Sequence, residues 1–139
     1  MKAKVSWMED AMSKGESGSG HEIIMDGPEN AGGKNQGARP MEMLLLGVGG
    51  CSTFDVVSIL KKSRQAVTDC VAEVEAARAD AVPAVFETIH IHFIVSGENL
   101  DEKKVKRAVE LSADKYCSAS IMLAKAGVKI THDFEIRAV

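Results

Sequence analysis

The sequence has no excess of basic charge. Its 17 lysines and arginines stand against 20 acidic residues, a formal net charge of −3 and a pI near 5.8. A nucleic-acid binder carries a basic footprint, so that class of partner is set aside. Cysteine is scarce, at three residues, and neither count nor spacing suits a disulfide scaffold or a CxxC zinc site. No apolar leader opens the chain. Met1-Lys2-Ala3-Lys4-Val5-Ser6-Trp7 begins a strand-like alternation instead, and a reducing cytoplasm is the expected home. An unbroken apolar run of the about 20 residues a membrane span needs is also missing. The longest apolar tract, Met41 to Leu60, is interrupted by Glu42, Ser52, Thr53, Asp55 and Ser58. It is expected to be a buried helix, with no membrane as partner. Glycines 47, 49 and 50 fit neither GxGxxG nor GxxxxGKS, so no phosphate loop is expected.

What remains is ordinary for a globular protein: 27% charged residues and few aromatics, at 4%. At 139 residues one domain is the simplest organisation, long enough to bury a core without staples. Lys2 to Trp7 and His21 to Asp26 read as short strands joined by a loop over Ser13–Gly20. Gly27 to Ala38 reads as a loop. Pro40 suits the first turn of a helix, where its missing N–H costs nothing, and Glu42 complements the helix dipole. Lys61, Lys62 and Arg64 favour an end near Ser63. Cys70 to Arg78 alternates as a strand, and Asp80 to Ala84 makes a turn. Thr88 to Val95 is the cleanest strand, with Ile89, Ile91, Phe93 and Val95 on one face and His90 and His92 on the other. After a turn at Ser96-Gly97, helical spacing covers Asp101 to Lys125, and Val128 to Ala138 is a last strand. Strands, helix, strands, helix, strand: the chain is α+β, without regular βαβ alternation.

Two of the cysteines stand out. Cys51 and Cys117 lie 66 positions apart, each inside a helical, largely apolar stretch. Three glycines precede Cys51, and small hydroxyl residues, Ser118 and Ser120, follow Cys117. Glycine costs a helix about 1 kcal/mol relative to alanine. Such a cluster marks close approach of another backbone or a ligand. The pair is a candidate dithiol redox site, set against the plainer reading of two buried structural thiols.

Ser6-Trp7, Pro40-Met41-Glu42, Gly49-Gly50-Cys51-Ser52, His92-Phe93 and Lys115-Tyr116-Cys117-Ser118, in this order, resemble the OsmC/Ohr family of bacterial thiol-dependent peroxidases. They look most like its YhfA-like branch, and the resemblance covers essentially the whole chain, 1–139, as one OsmC-like domain. It implies an intertwined homodimer, with antiparallel sheets from two chains packed around long central helices and active sites at the subunit interface. It implies that Cys51 is the peroxidatic thiol and Cys117 the resolving one. The thiolate attacks a hydroperoxide and becomes a sulfenic acid, the second thiol condenses with it to a disulfide, and an external thiol reductant restores both. Burial in an apolar pocket favours organic hydroperoxides or other small apolar ligands, and raises the thiol pKa. Hydroperoxide reductases of the family oppose that rise with an arginine from the N-terminal hairpin, held by a glutamate directly after the proline opening the first helix. Here the hairpin offers Lys14, Met41 follows Pro40, and the acid, Glu42, comes one residue later, a rotation of about 100° around the helix. Arg39 and Glu42 are the substitute pair. The expectation is a weak or differently specific peroxidase in a stress-response role, or a non-catalytic redox-sensing or ligand-binding dimer of the same fold. No cofactor or metal is expected. A zinc site through His90 and His92, with His132 and a thiol, is the minor alternative; the plainer reading is polar residues on an outer strand face. Asp55, one turn after Cys51, reads as a solvated or paired acid, and Cys70 as a spectator.

Overall fold

The middle strand of the first sheet forms where strand propensity is weakest. In the computed structural model, which describes Met1 to Val139, backbone contacts gather into two units, Met1–Leu44 and Leu45–Val139. The first holds β1 (Ala3–Glu9), β2 (Met12–Ser17) and β3 (Glu22–Met25), antiparallel in the order β1-β2-β3. Most of the segment expected to be a hairpin loop is therefore the central strand. Ser13, Lys14, Gly15 and Glu16 are poor strand formers, but β2 is paired on both edges, Lys14 with Ser6 and with Ile24, and ladder pairing overrides propensity. Gly15 lets the strands lie close: a Cβ there would stand 3.2 Å from Ile23 Cγ1, so that side chain would have to give by a few tenths of an ångström. The loop after β3 contains one 3-10 turn, Glu29–Ala31, and folds around buried Asp26. The Asp26 carboxylate accepts from the backbone N–H groups of Gly27, Lys34 and Gln36 at 2.7, 3.1 and 3.2 Å.

The boundary between the units falls within α1 (Pro40–Lys62). Beyond it, β4 (Ala66–Arg78) and β5 (Phe86–Glu98) pair antiparallel along 13 residues each. The last strand, β6 (Lys129–Ala138), pairs parallel with β5, so this sheet is mixed. Ser96-Gly97, read as a turn, lies within β5; the chain leaves the sheet after Glu98. Ile89, Ile91, Phe93 and Val95 of β5 are at most 3% exposed and form the core, with Val56 and Leu60 of α1. Each such side chain contributes about 1.5–3 kcal/mol on burial.

The second helical stretch is broken. Its first part, α2 (Glu102–Leu111), starts at Asp101, whose carboxylate accepts from Lys103 N–H at 2.9 Å, and buries Val105, Ala108 and Val109. A π turn, Ser112–Tyr116, follows, and Cys117 is extended before α3 (Ser118–Lys125). Cys117 is thus the N-cap residue of α3, not a mid-helix residue.

The long helix also departs from expectation. Over an 18-residue window α1 has a mean hydropathy of 1.8, and by length and composition it is long and apolar enough to cross a membrane; only 22% of that window is buried. Leu46 and Phe54, two turns apart, are 62% and 72% exposed. Of the three glycines, only Gly49 meets a neighbour, 3.4 Å from a built Cβ to Val74 Cγ2; positions 47 and 50 face open space. A single chain leaves this helix face uncovered.

Candidate active site

Cys51 lies half-buried on α1, with Asp55 one turn later and so on the same face. The break before α3 turns the fully buried Cys117 toward them. The sulfurs of Cys51 and Cys117 and a carboxylate oxygen of Asp55 all lie within 4.8 Å of one another. Hydroxyl groups frame this triangle. Ser52 Oγ is 3.3 Å from Cys117 Sγ. Ser112, at the start of the π turn, sits near Asp55 Oδ2 at 3.3 Å, donating to it, and near the Ser52 carbonyl at 3.5 Å. Ser120 Oγ donates to the Cys117 carbonyl at 3.3 Å.

These neighbours make the thiols unlike. Burial pushes the Cys51 thiol up, and its hydrogen bond to Cys117, the charge on that sulfur and the charge of Asp55 push the same way against the Ala119 N–H. Burial would also raise Cys117, but the hydroxyls of Ser120 and Ser52, the Ser120 N–H and the Cys51 thiol outweigh it and bring Cys117 down. Hydrogen bonds donated to a sulfur favour its charged form. These opposite directions make Cys117 the easier of the two thiols to ionise. Burial raises the Asp55 carboxyl more than Ser112 lowers it.

The other residues singled out in the sequence have other partners. Glu42 Oε1 accepts from the backbone N–H of Arg39 at 2.8 Å, which caps the start of α1 in the manner of a capping box. The Arg39 guanidinium is 3.9 Å from Glu42 and also donates to Asn35 Oδ1. Both belong to the first unit. His90 and His92 bond across to β6: His90 to Thr131 and Asp133 at 2.7 and 3.0 Å, His92 to Asp133 and Glu135 at 2.6 and 3.2 Å. His132 alternates to the other face of β6, beside Lys106 and Val109, so the three histidines do not converge. Cys70, on β4, has its pKa pushed up to about 11 by burial and by Asp69, as suits a spectator. A groove of 510 Å³ between α1 and β4 is lined by Phe54, Val57, Lys61 and Cys70; neither Cys51 nor Cys117 lines it. Sequence reasoning missed Ser52 and Ser112 as members of the site, and gave Asp55 no part in it. Asp55 is bonded by the Ser112 hydroxyl and makes no ion pair. The serines flanking both cysteines were the available signal.

The profile of the OsmC-like protein family matches residues 33–133. The chain belongs to the OsmC family. Protein YhfA of Escherichia coli (strain K12), a similar curated relative, is 51% identical over 138 residues, 99% of each chain. Among solved structures of this fold, a hypothetical protein from Aquifex aeolicus VF5 aligns with a TM-score of 0.85 at 30% identity, over 99% of this chain and 96% of that one. The organic hydroperoxide resistance protein OhrB of Bacillus subtilis aligns with a TM-score of 0.63 at 17% identity, over 97% and 98%. That likeness is one of fold. The OsmC-type architecture and the closeness of Cys51 to Cys117 are thus established together.

Proposed function

We propose that this protein is a thiol-dependent organic hydroperoxide reductase, working as one OsmC-like domain in a cytoplasmic homodimer. The observation that carries the reading is the pair of sulfurs within 4.8 Å, one half-exposed and one buried. Cys51 is the thiol that a peroxide reaches. Its proton passes to the Cys117 thiolate as attack begins, so Cys117 serves first as the base. The Cys51 thiolate then takes the terminal oxygen of the hydroperoxide, the O–O bond breaks, and the alkoxide leaves as the alcohol after taking a proton from solvent. Cys51 is now a sulfenic acid. The Cys117 thiol condenses with it, forming the disulfide and releasing water. An external dithiol returns both cysteines to the reduced state. Arg39 and Glu42 are proposed to support the site by fixing the start of the helix that carries Cys51, given the cap they form.

The uncovered face of α1, with Leu46 and Phe54 exposed above two unfilled glycine positions, supports a second copy of the chain as its cover. Asp55 and the hydroxyls of Ser52 and Thr53 on the same helix argue against lipid in that place. A second reading, a redox-sensing dimer without turnover, is favoured by one observation: the groups bonded to the thiols include no cation, and Asp55 opposes ionisation of Cys51.

Hydroperoxide consumption with a small dithiol as reductant separates the two. Catalytic turnover is expected in the wild type and none in Cys51→Ser. Cys117→Ser, which lacks both the base and the resolving thiol, is expected to react once, more slowly than the wild type, and to hold a trappable sulfenic acid. Equal activity in both variants would sink the scheme; one turnover in the wild type selects the sensor.

A further inference from the structure

Two thiols and a carboxylate within 4.8 Å of one another form a donor set as well as a redox pair. We propose that Cys51, Cys117 and Asp55 bind a zinc ion, with a fourth position left to water or a small ligand. Zinc holds cysteine sulfur at about 2.3 Å and carboxylate oxygen at about 2.0–2.2 Å. Around a tetrahedral zinc two sulfurs lie about 3.8 Å apart, and a sulfur and a carboxylate oxygen about 3.5 Å. The set, within 4.8 Å, has to close by up to about 1 Å to take the ion. Soft thiolates select zinc over magnesium or calcium, and three protein ligands leave zinc an open site.

The surroundings suit ligands of an ion. Ser112 bonds to Oδ2 of Asp55, leaving Oδ1 free to coordinate. The Ser52 hydroxyl lies 3.3 Å from the Cys117 sulfur, the kind of outer hydrogen bond that holds a ligand in place in metal sites. The ion also accounts for Asp55. Beside two bare thiols the acid opposes ionisation, whereas a divalent cation makes all three groups partners and deprotonates the thiols outright. Binding converts both cysteines to thiolates and releases their protons. A disulfide between the same sulfurs excludes the ion. The proposal uses the dithiol but none of its peroxide chemistry, so either survives failure of the other.

The test is titration of the reduced, metal-free protein with cobalt(II), whose bonds to thiolate give a near-ultraviolet charge-transfer band, followed by zinc competition. One equivalent of cobalt per chain is expected to saturate the band, and zinc to displace it. Cys51→Ser and Cys117→Ala are expected to lose it, and Cys70→Ser to keep it. Asp55→Asn, close in shape to the native residue, is expected to bind about 10–100-fold more weakly. Circular dichroism checks each fold; should Cys117→Ala unfold, Cys51→Ser and Asp55→Asn still decide. Absence of the band, its persistence in Cys51→Ser, its loss in Cys70→Ser, or unchanged affinity in Asp55→Asn would each overturn the site.

Discussion

The chemistry of Cys117 is set by its neighbours' hydroxyls, not by its burial. Fully enclosed, it would titrate above an ordinary thiol; the Ser120 and Ser52 hydroxyls and the Ser120 N–H reverse the sign. Ser52→Ala removes one of these donors and is expected to move the Cys117 thiol upward. Thiolate absorbance at a series of pH values should show the first ionisation of the wild type below the ordinary thiol pKa and moved up in the variant; an unmoved curve would deny Ser52 its role. Because the folded pKa of Cys117 is lowered, its contribution to stability is present above the ordinary thiol value and lost as pH falls through the lowered one. Cys51, shifted the other way, opposes it. The sequence showed both cysteines and the serines beside them. It did not show that Cys117 stands outside a helix, because Ser112 to Ala119 contains neither proline nor glycine and keeps helical spacing.

Among the elements, those with strong periodicity were legible and those imposed by partners were not. The extent of α1 and the buried face of β5 follow from the spacing of Pro40, Val48, Val56 and Leu60, and of Ile89 to Val95. Strand β2 was hidden by its Ser-Lys-Gly-Glu composition, and the parallel pairing of β6 depends on a crossover that no local signal announces. The loop over residues 27–38 is organised by Asp26, which nothing in the sequence distinguished from a turn residue. Burial raises its carboxyl, but the N–H groups of Gly27, Gln36 and Lys34 and the charge of Lys34 overcome this and hold it below the ordinary carboxylate value. Its stabilising effect is therefore present above the unfolded-state pKa of about 3.9 and lost as pH falls through the lowered folded value. Thermal unfolding of Asp26→Asn is expected to show a lower Tm than wild type at pH 7, with the gap closing in strong acid. A gap that stays constant with pH would contradict the charged role.

For the whole molecule, the exposed apolar face of α1 is the feature a single chain does not explain. The sequence placed Met41–Leu60 in a buried helix, and only 22% of the window is buried; periodicity reports apolar character without saying whose surface covers it. Phe54→Asp puts a charge at the centre of that face and is expected to shift sedimentation from dimer to monomer. An unchanged dimer would place the interface elsewhere. The central claim concerns Cys51 and Cys117, and the most direct measurement is peptide-mapped mass spectrometry of the reduced protein after one equivalent of an organic hydroperoxide. The account expects rapid loss of a pair of hydrogens per chain, mapped to a Cys51–Cys117 disulfide with Cys70 untouched. Intact thiols, or slow scattered oxidation that includes Cys70, would contradict it.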